Sequence, residues 1–332
     1  MRASCLINNY NYGRFLPRAV ERARLQVPAF AEIIIVDDGS TDDSLARVRP
    51  IAEADPRCRI IAKPNGGQLS AINAGIVAAT GDILCFLDAD DYYAPGFLGE
   101  ILAAYQRSPA ADCVFCSFDF VDANGVPTFT TNWPVYSLYE LEAGDRDYPD
   151  TFLATLEQWE WIGRQTSCMT MRTALARRFL PLPALENDWR IRADDVLVVG
   201  TSLVGAHKLY LHRKLVRYSL HGTNAYAVQL PSAAELARRN QELLPRLQAA
   251  VLGTPAGRQT FRAHLPMIGK LRSREVRRWT SLARKAGYRK QDRARIKAYL
   301  YFRYLAGKLG WSWPWLSDRL LNAFHSADGA TR

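Results

Sequence analysis

The stretch Glu32–Val36 reads EIIIV, four consecutive β-branched side chains after a single acid. Such side chains are stiff about χ1 and suit a pleated strand better than a helix. A strand apolar on both sides has no face to give to water, so it must lie inside a sheet covered above and below. Other apolar, strand-like runs occur at Ala3–Asn8, Arg59–Ala62, Asp82–Leu87 (DILCFL) and Cys113–Phe118. Between them apolar residues repeat at helical spacing: Phe15, Leu16, Ala19, Val20 and Ala23, then Leu69, Ile72, Ile76 and Val77 after Gly66-Gly67. Thr41 is placed to cap a helix running to about Ala54, and Pro95 to open another. This alternation predicts an α/β fold with a parallel, doubly wound sheet over residues 1–120.

Beyond residue 120 the rhythm is lost. Residues 119–165 are rich in turn formers, acids and aromatics, including Trp133, Tyr136, Tyr139, Tyr148, Trp159 and Trp161. Thr166–Arg172 reads as a strand, Asp194–Val204 as a helix, and Lys208–His212 and Leu215–Leu220 as two more strands. From Pro231 the pattern is helical, with breaks near Gly253–Gly257, Gly287 and Gly310. We therefore expect three units, 1–120, 121–230 and 231–332. Charge divides in the same place. The 332 residues carry a net +10, yet residues 1–230 hold 22 basic and 27 acidic side chains, whereas 231–332 hold 21 and 6. The excess is confined to the helical extension, which argues against a basic domain wrapped on nucleic acid. No apolar run approaches the ~20 residues of a membrane span, and the first residues lack a signal-peptide plan. The six Cys residues sit mostly in strand-like contexts; Cys113 and Cys116 have no second pair at zinc spacing, so buried reduced thiols and a cytoplasmic setting are expected.

In an open parallel sheet, ligands bind beyond the carboxyl ends of the strands. Those ends are polar here: Asn8-Asn9-Tyr10-Asn11, Asp37-Asp38-Gly39-Ser40 and Asp88-Ala89-Asp90-Asp91. Either acidic cluster alone is explicable as a turn with a helix cap. Several carboxylates meeting on one sheet edge repel one another unless a cation or donor array compensates. A hard divalent ion such as Mg²⁺ or Mn²⁺, sharing phosphate oxygens, is the economical solution. Neither GxGxxG nor GxxxxGK[ST] occurs in the chain, which points away from dinucleotide and P-loop folds.

The strings NNYNYGRFL, IIIVDDGSTDDS, NGGQLSAINAGIVAATGD and LCFLDADD, in this order, resemble the nucleotide-binding half of family 2 glycosyltransferases. The resemblance is strong over residues 3–120, weaker to about 225 and absent beyond. It implies a mostly parallel, Rossmann-like sheet of the A-type glycosyltransferase fold and an inverting transfer from a nucleotide-diphospho-sugar, a UDP-sugar foremost. By the resemblance, Asn8, Tyr10, Asp38, Ser40, Asn73, Asp88 and Ala89 surround the nucleotide, and Asp90 binds Mn²⁺ or Mg²⁺. Asp91 would cap the next turn. His221, in RYSLHGTN, is a second metal candidate. The base that deprotonates the acceptor hydroxyl would be Asp195, supported by Asp194 in RADDVLV, with Asp188 in ENDW as its competitor. Trp159 and Trp161 are candidate acceptor contacts, flat faces suited to sugar rings, though core positions serve them equally.

Two rivals use a related sheet. A sugar-phosphate nucleotidyltransferase needs a Gly-rich, basic N-terminal loop that NNYNYG does not offer. A catalytically silent sugar-binding or scaffold protein has no use for intact acidic clusters. The expected partners are the nucleotide-sugar donor and a glycan or lipid-linked glycan acceptor in polysaccharide biosynthesis, and no nucleic acid. The basic extension interleaves Tyr299, Tyr301, Phe302, Tyr304, Trp311, Trp313 and Trp315 with Lys297, Arg303 and Lys308. That composition suits peripheral attachment to an anionic membrane face, or packing on the sheet or in a homo-oligomer.

Overall fold

A computed structural model describes residues 1–128, 144–222, 224, 232–267 and 273–309. The expected alternation is present. β1 (Ala3–Asn9), β2 (Glu32–Asp37), β3 (Cys58–Ala62) and β4 (Ile83–Asp88) run parallel, linked by α1 (Leu16–Arg24), α2 (Ser44–Glu53) and α3 (Gln68–Ala78). The sheet continues through β5 (Tyr92–Tyr93), β6 (Cys113–Asp122), β7 (Arg146–Tyr148), β8 (Met169–Arg172) and β9 (Lys208–Leu220), with α4 (Phe97–Arg107) before β6. Among the described residues its order is β3-β2-β1-β4-β8-β6-β9-β5, with β7 beside β9. β6 and β9 pair in parallel, while β8 lies antiparallel to both β4 and β6. Among the described residues the four longer pairings are parallel, while β5, β7 and β8 join by short antiparallel pairings that the repeat of strand and helix did not announce, so the sheet is mixed rather than mostly parallel.

Strand alternation divides the core. Cys5, Ile7, Ile33 and Ile35 face α1, α2 and α4, whose Val20, Val48 and Ile101 pack against them. Leu6, Ile34 and Val36 face the other layer, with Leu69, Ile72 and Ile76 of α3. The same second core takes in Val196 and Val199 of the helix Ala193–Leu203, Leu247 and Val251 of Leu244–Gly253, and Phe261, Trp279 and Tyr299 further on. The basic helices therefore share buried apolar surface with the sheet. The extension is built as expected: helices cover 233–253, 255–264, 273–285 and 290–309.

Other expectations are revised. The two strands foreseen at 208–212 and 215–220 are one, β9, whose register against β6 shifts near Cys116–Phe118. A register shift bends a strand without ending it, which the polar residues at 212–214 disguised as a turn. Val77 is exposed rather than on the buried face of α3. Thr166–Cys168 is a single 3₁₀ turn leading into β8. Five of the six thiols are buried, Cys58 is half-buried, and all are reduced. Trp133, Tyr136, Tyr139, Trp311, Trp313 and Trp315 lie outside the described residues. No described helix is long and apolar enough to cross a membrane.

Candidate active site

The chain passes from β1 outward to β3 and returns to the far side of β1 as β4, so a crevice opens where the order reverses. Register aligns its rim: Asn8 lies opposite Asp88, and Asn9 opposite Asp37. A cavity of about 310 Å³ stands over this edge, lined among others by Asn8, Tyr10, Asp38, Asp88, Ala89, Asp90 and Asp194. Strand ends, the N-terminus of the helix Ala193–Leu203 and the segment Arg190–Arg192 enclose it.

Asp38 is buried and already occupied. Its carboxylate accepts from the backbone N–H of Gly66 (3.0 Å) and Gly67 (2.6 Å) and from Lys63 Nζ (2.7 Å). It thereby fixes the turn that starts α3 beneath the cavity. Gly67 cannot be replaced there: its φ is +91° and an added Cβ would lie 2.5 Å from the Arg190 Cα. The first amides of α3 donate to carbonyls of this neighbouring segment, Gln68 N to Arg190 O and Leu69 N to Trp189 O.

Three carboxylates end β4 and the following turn. Burial, then the charge of Asp90, pushes the Asp88 carboxyl up to about 7. Asp88 Oδ1 accepts from Gln68 Nε2 at 2.8 Å. Asp90 Oδ2 stands 3.1 Å from His221 Nε2 and accepts from Asn224 Nδ2 at 3.3 Å. His221 is stacked on Phe15 with ring centroids 4.4 Å apart, which fixes its plane. Asp91 does not cap a turn with its side chain, as the sequence suggested. It is buried, accepts from Ser167 Oγ (2.6 Å) and Ser219 N (2.9 Å), and ties the end of β4 to β9. Burial and the two neighbouring acids hold its carboxyl well above the usual carboxylate range.

The donor set at Asp90 can be tested against a divalent ion. Donors ~2.1 Å from an octahedral centre stand about 3.0 Å apart along an edge, which matches the Asp90–His221 separation of 3.1 Å. Among the described residues no three His, Cys, Asp or Glu side chains cluster as a self-sufficient metal cage. The pair, 3.1 Å apart as in a direct hydrogen bond, can serve at most as part of a shell that water and ligand phosphate complete, and its imidazole nitrogen suits Mn²⁺ better than Mg²⁺, which keeps to oxygen donors.

Asp194 and Asp195 open the helix Ala193–Leu203, where its dipole favours negative charge. They point to different places. Asp194 lines the cavity, and burial, then the charge of Asp195, raises its carboxyl to about 6. Asp195 is fully buried outside the cavity. The Arg239 guanidinium forks onto it, Nε to Oδ2 at 2.7 Å and Nη2 to Oδ1, and Arg192 Nε adds a contact at 3.3 Å. Asp188, the competitor, is paired with Arg246 at 2.9 Å and is also off the cavity.

Several expected contacts lie elsewhere. Asn73 is buried against the segment 182–186, donating to Glu186 Oε1 and accepting from Leu182 N, because its face of α3 turns from the cavity. Ser40 accepts from Asn9 Nδ2 and Asn11 N and closes the loop after β2, off the cavity lining. Trp159 ends the helix Phe152–Gln158 and is 40% exposed, while Trp161 packs on the core. Neither lines the cavity.

Sequence reasoning missed Gln68. Its Nε2 donates to Asp88, and also to Thr166 Oγ1 at 3.3 Å, while its Oε1 accepts from Ala193 N at 2.9 Å. One side chain thus ties the acidic strand end to the helix carrying Asp194. The sole local hint was its place directly after Gly66-Gly67. Gln165, Thr166 and Arg190–Arg192 were missed as well, since nothing local marks them as cavity walls.

A switch-point crevice walled by strand-end carboxylates is the arrangement that the resemblance to A-type glycosyltransferases implied. The chain belongs to glycosyltransferase family 2: the family model Glycosyl transferase family 2 matches residues 4–179. It is 32% identical over 244 residues to the uncharacterized glycosyltransferase alr2836 of Nostoc sp., covering 73% of this chain and 71% of that one. A chondroitin synthase of Pasteurella multocida is 34% identical over 139 residues, 42% of this chain; the match spans only 14% of that synthase. The fold is similar to that of S. aureus TarS 1–349 solved with UDP, with a TM-score of 0.54 at 14% identity, over 98% of this chain and 92% of that one. The protein is accordingly a glycosyltransferase, related to enzymes of polysaccharide synthesis.

Proposed function

We propose that the protein is an inverting glycosyltransferase that moves a sugar from a UDP-type nucleotide-diphospho-sugar to a glycan or lipid-linked glycan acceptor. One observation carries the reading. Two acidic groups of unlike character face the same cavity: Asp90, coupled to His221, at the strand edge, and Asp194 at the helix N-terminus. Inversion in a single displacement needs a diphosphate leaving on one side and a base receiving the acceptor proton on the other.

The nucleoside lies over Asn8, Tyr10, Asp38, Asp88 and Ala89. Asp38 acts on it chiefly through the Gly66-Gly67 turn it holds. Asp90 and His221 would hold Mn²⁺ or Mg²⁺, which, when bound, offsets the charge that develops on the departing diphosphate. Base and supporting residue exchange the roles expected from sequence. Asp194 takes the proton from the acceptor hydroxyl, because it faces the cavity and its raised value suits a base operating near neutrality. Asp195 steadies it from behind, its charge held by Arg239 and Arg192.

Peripheral attachment to an anionic membrane face has support in the extension. Arg277 and Arg284 on one helix and Lys290, Arg293 and Lys297 on the next line a common groove with Tyr301. Release of nucleotide diphosphate from a panel of nucleotide-sugars, with Mn²⁺ and with EDTA, tests the central reading. One donor is expected to dominate and EDTA to stop its turnover. Silence across the panel with Mn²⁺ refutes it.

A further inference from the structure

We propose that Gln165 reads the transferred sugar, and that the sugar it accepts presents two neighbouring free hydroxyls, one donating to and one accepting from its side-chain amide. This rests on the glycosyltransferase reading above. Gln165 is 6% exposed and lines the cavity. Neither its Oε1 nor its Nε2 has a hydrogen-bond partner among the described residues. Asn8 and Asn9 in the same lining leave only Oδ1 unmet, their amide nitrogens being engaged, and Gln68, Asp38 and Asp90 are engaged as described above; among the described cavity residues Gln165 alone leaves both ends of an amide unmet.

Buried polar side chains are nearly always paired, and a primary amide carries two donors and an acceptor that all want partners. Leaving both ends of one amide unmet in a cavity wall is costly to the free protein unless a ligand meets them. The residue also adjoins the contacts that join the two sides of the cavity. The next residue, Thr166, is joined through Gln68 to Asp88 at the strand edge, two residues before Asp90, and the same Gln68 reaches Ala193, adjacent to Asp194. A sugar bonded to a diphosphate at the strand edge, and attacked by a hydroxyl at Asp194, would cross the Thr166–Gln68 contact, to which Gln165 is the neighbouring residue. A vicinal hydroxyl pair matches the amide, donor to acceptor and acceptor to donor. Sites that hydrogen-bond a hydroxyl reject analogues lacking it far more strongly than apolar pockets reject a misfit.

The test is Gln165→Met, which keeps the volume and removes both polar atoms, read in two ways. In thermal unfolding without ligand, the variant should melt at or above the wild-type Tm, since an unpaired group has been removed. A clearly lower Tm means that the amide holds the fold, and overturns the proposal. In kinetics with UDP-glucose, UDP-galactose and UDP-N-acetylglucosamine, kcat/KM for the best donor should fall about 10²-fold, with affinity for UDP alone within twofold of wild type. The preference for that donor over its monodeoxy analogue should shrink in parallel. Unchanged kcat/KM, or UDP affinity falling along with it, also overturns the proposal. If the wild type turns over no donor, the glycosyltransferase reading fails by itself, and the unfolding comparison still decides whether the amide is structural.

Discussion

Arg239 lies in the basic extension, 44 residues from the aspartate it clamps, and its replacement by Met isolates what that clamp contributes. Asp195 is fully buried and its two oxygens face Arg239 Nε and Nη2, with Arg192 Nε at 3.3 Å as a second cation. Removing one partner of a buried pair costs roughly 3–5 kcal/mol, because the remaining charge is left without compensation. Arg192 retains part of that compensation, so Arg239→Met should cost about 3 kcal/mol. At roughly 2 °C per kcal/mol for a chain of this size, Tm should fall by about 6 °C. The cycle with Asp195→Asn separates this pairing from lost packing. Once Asp195 is neutral, Arg239→Met should cost only about 1 kcal/mol of lost packing, giving a coupling of about 2 kcal/mol, within the range for residues in contact. Thermal unfolding of wild type, both single variants and the double variant supplies all four corners. A Tm within 1 °C of wild type for Arg239→Met, or additive effects in the cycle, would refute the reasoning. A chemical consequence accompanies the stability loss. Arg239 is among the charges that restrain the rise of the Asp194 carboxyl, so the acid limb of the pH–rate profile should move to higher pH in the variant.

Asp194→Asn should lower kcat by about 10²–10⁴-fold, the usual worth of a positioned base, with UDP affinity nearly intact; wild-type turnover would return the role to Asp195. In the wild type, activity should rise with pH through about 6 as Asp194 ionises. The same raised value acts oppositely on folding: its contribution to stability is full below the unfolded carboxylate range and is lost as pH climbs through about 6. Urea midpoints at pH 4.5 and 7 on wild type and Asp194→Asn measure this, and the variant should show the smaller change. Asp90→Ala should abolish the Mn²⁺-dependent part of UDP binding in titration calorimetry; an unchanged Mn²⁺ response would remove Asp90 from the ion site. Flotation with anionic vesicles should weaken when Arg284, Arg293 and Lys297 are changed to Glu. The full chain is the proper background, because cutting near residue 230 also removes Arg239 and the core residues Leu247 and Trp279. Equal flotation would dismiss membrane attachment through this groove.

The amino-acid sequence by itself determined what short-range chemistry can specify. Four consecutive β-branched residues compel a buried strand, helical spacing in the intervals compels crossovers, and strand-end acids mark the edge where the cavity opens. The place of Asp88 and Asp90 at the cavity edge was therefore legible, as was a helix expected over Asp194–Val204 and present at Ala193–Leu203. Tertiary structure decided which side of that helix each aspartate faces, because neighbouring residues on a helix point about 100° apart and only packing selects the outward one. Here the choice depends on Arg239, and no local pattern links it to Asp195. Gln68 joins the two walls of the cavity and Gln165 is buried among them; both are ordinary glutamines in the sequence. The antiparallel placement of β8 between β4 and β6 likewise follows from pairing across more than fifty residues. Periodicity and composition report what a residue prefers. Which partner satisfies a buried charge or amide is a property of distant chain segments brought together.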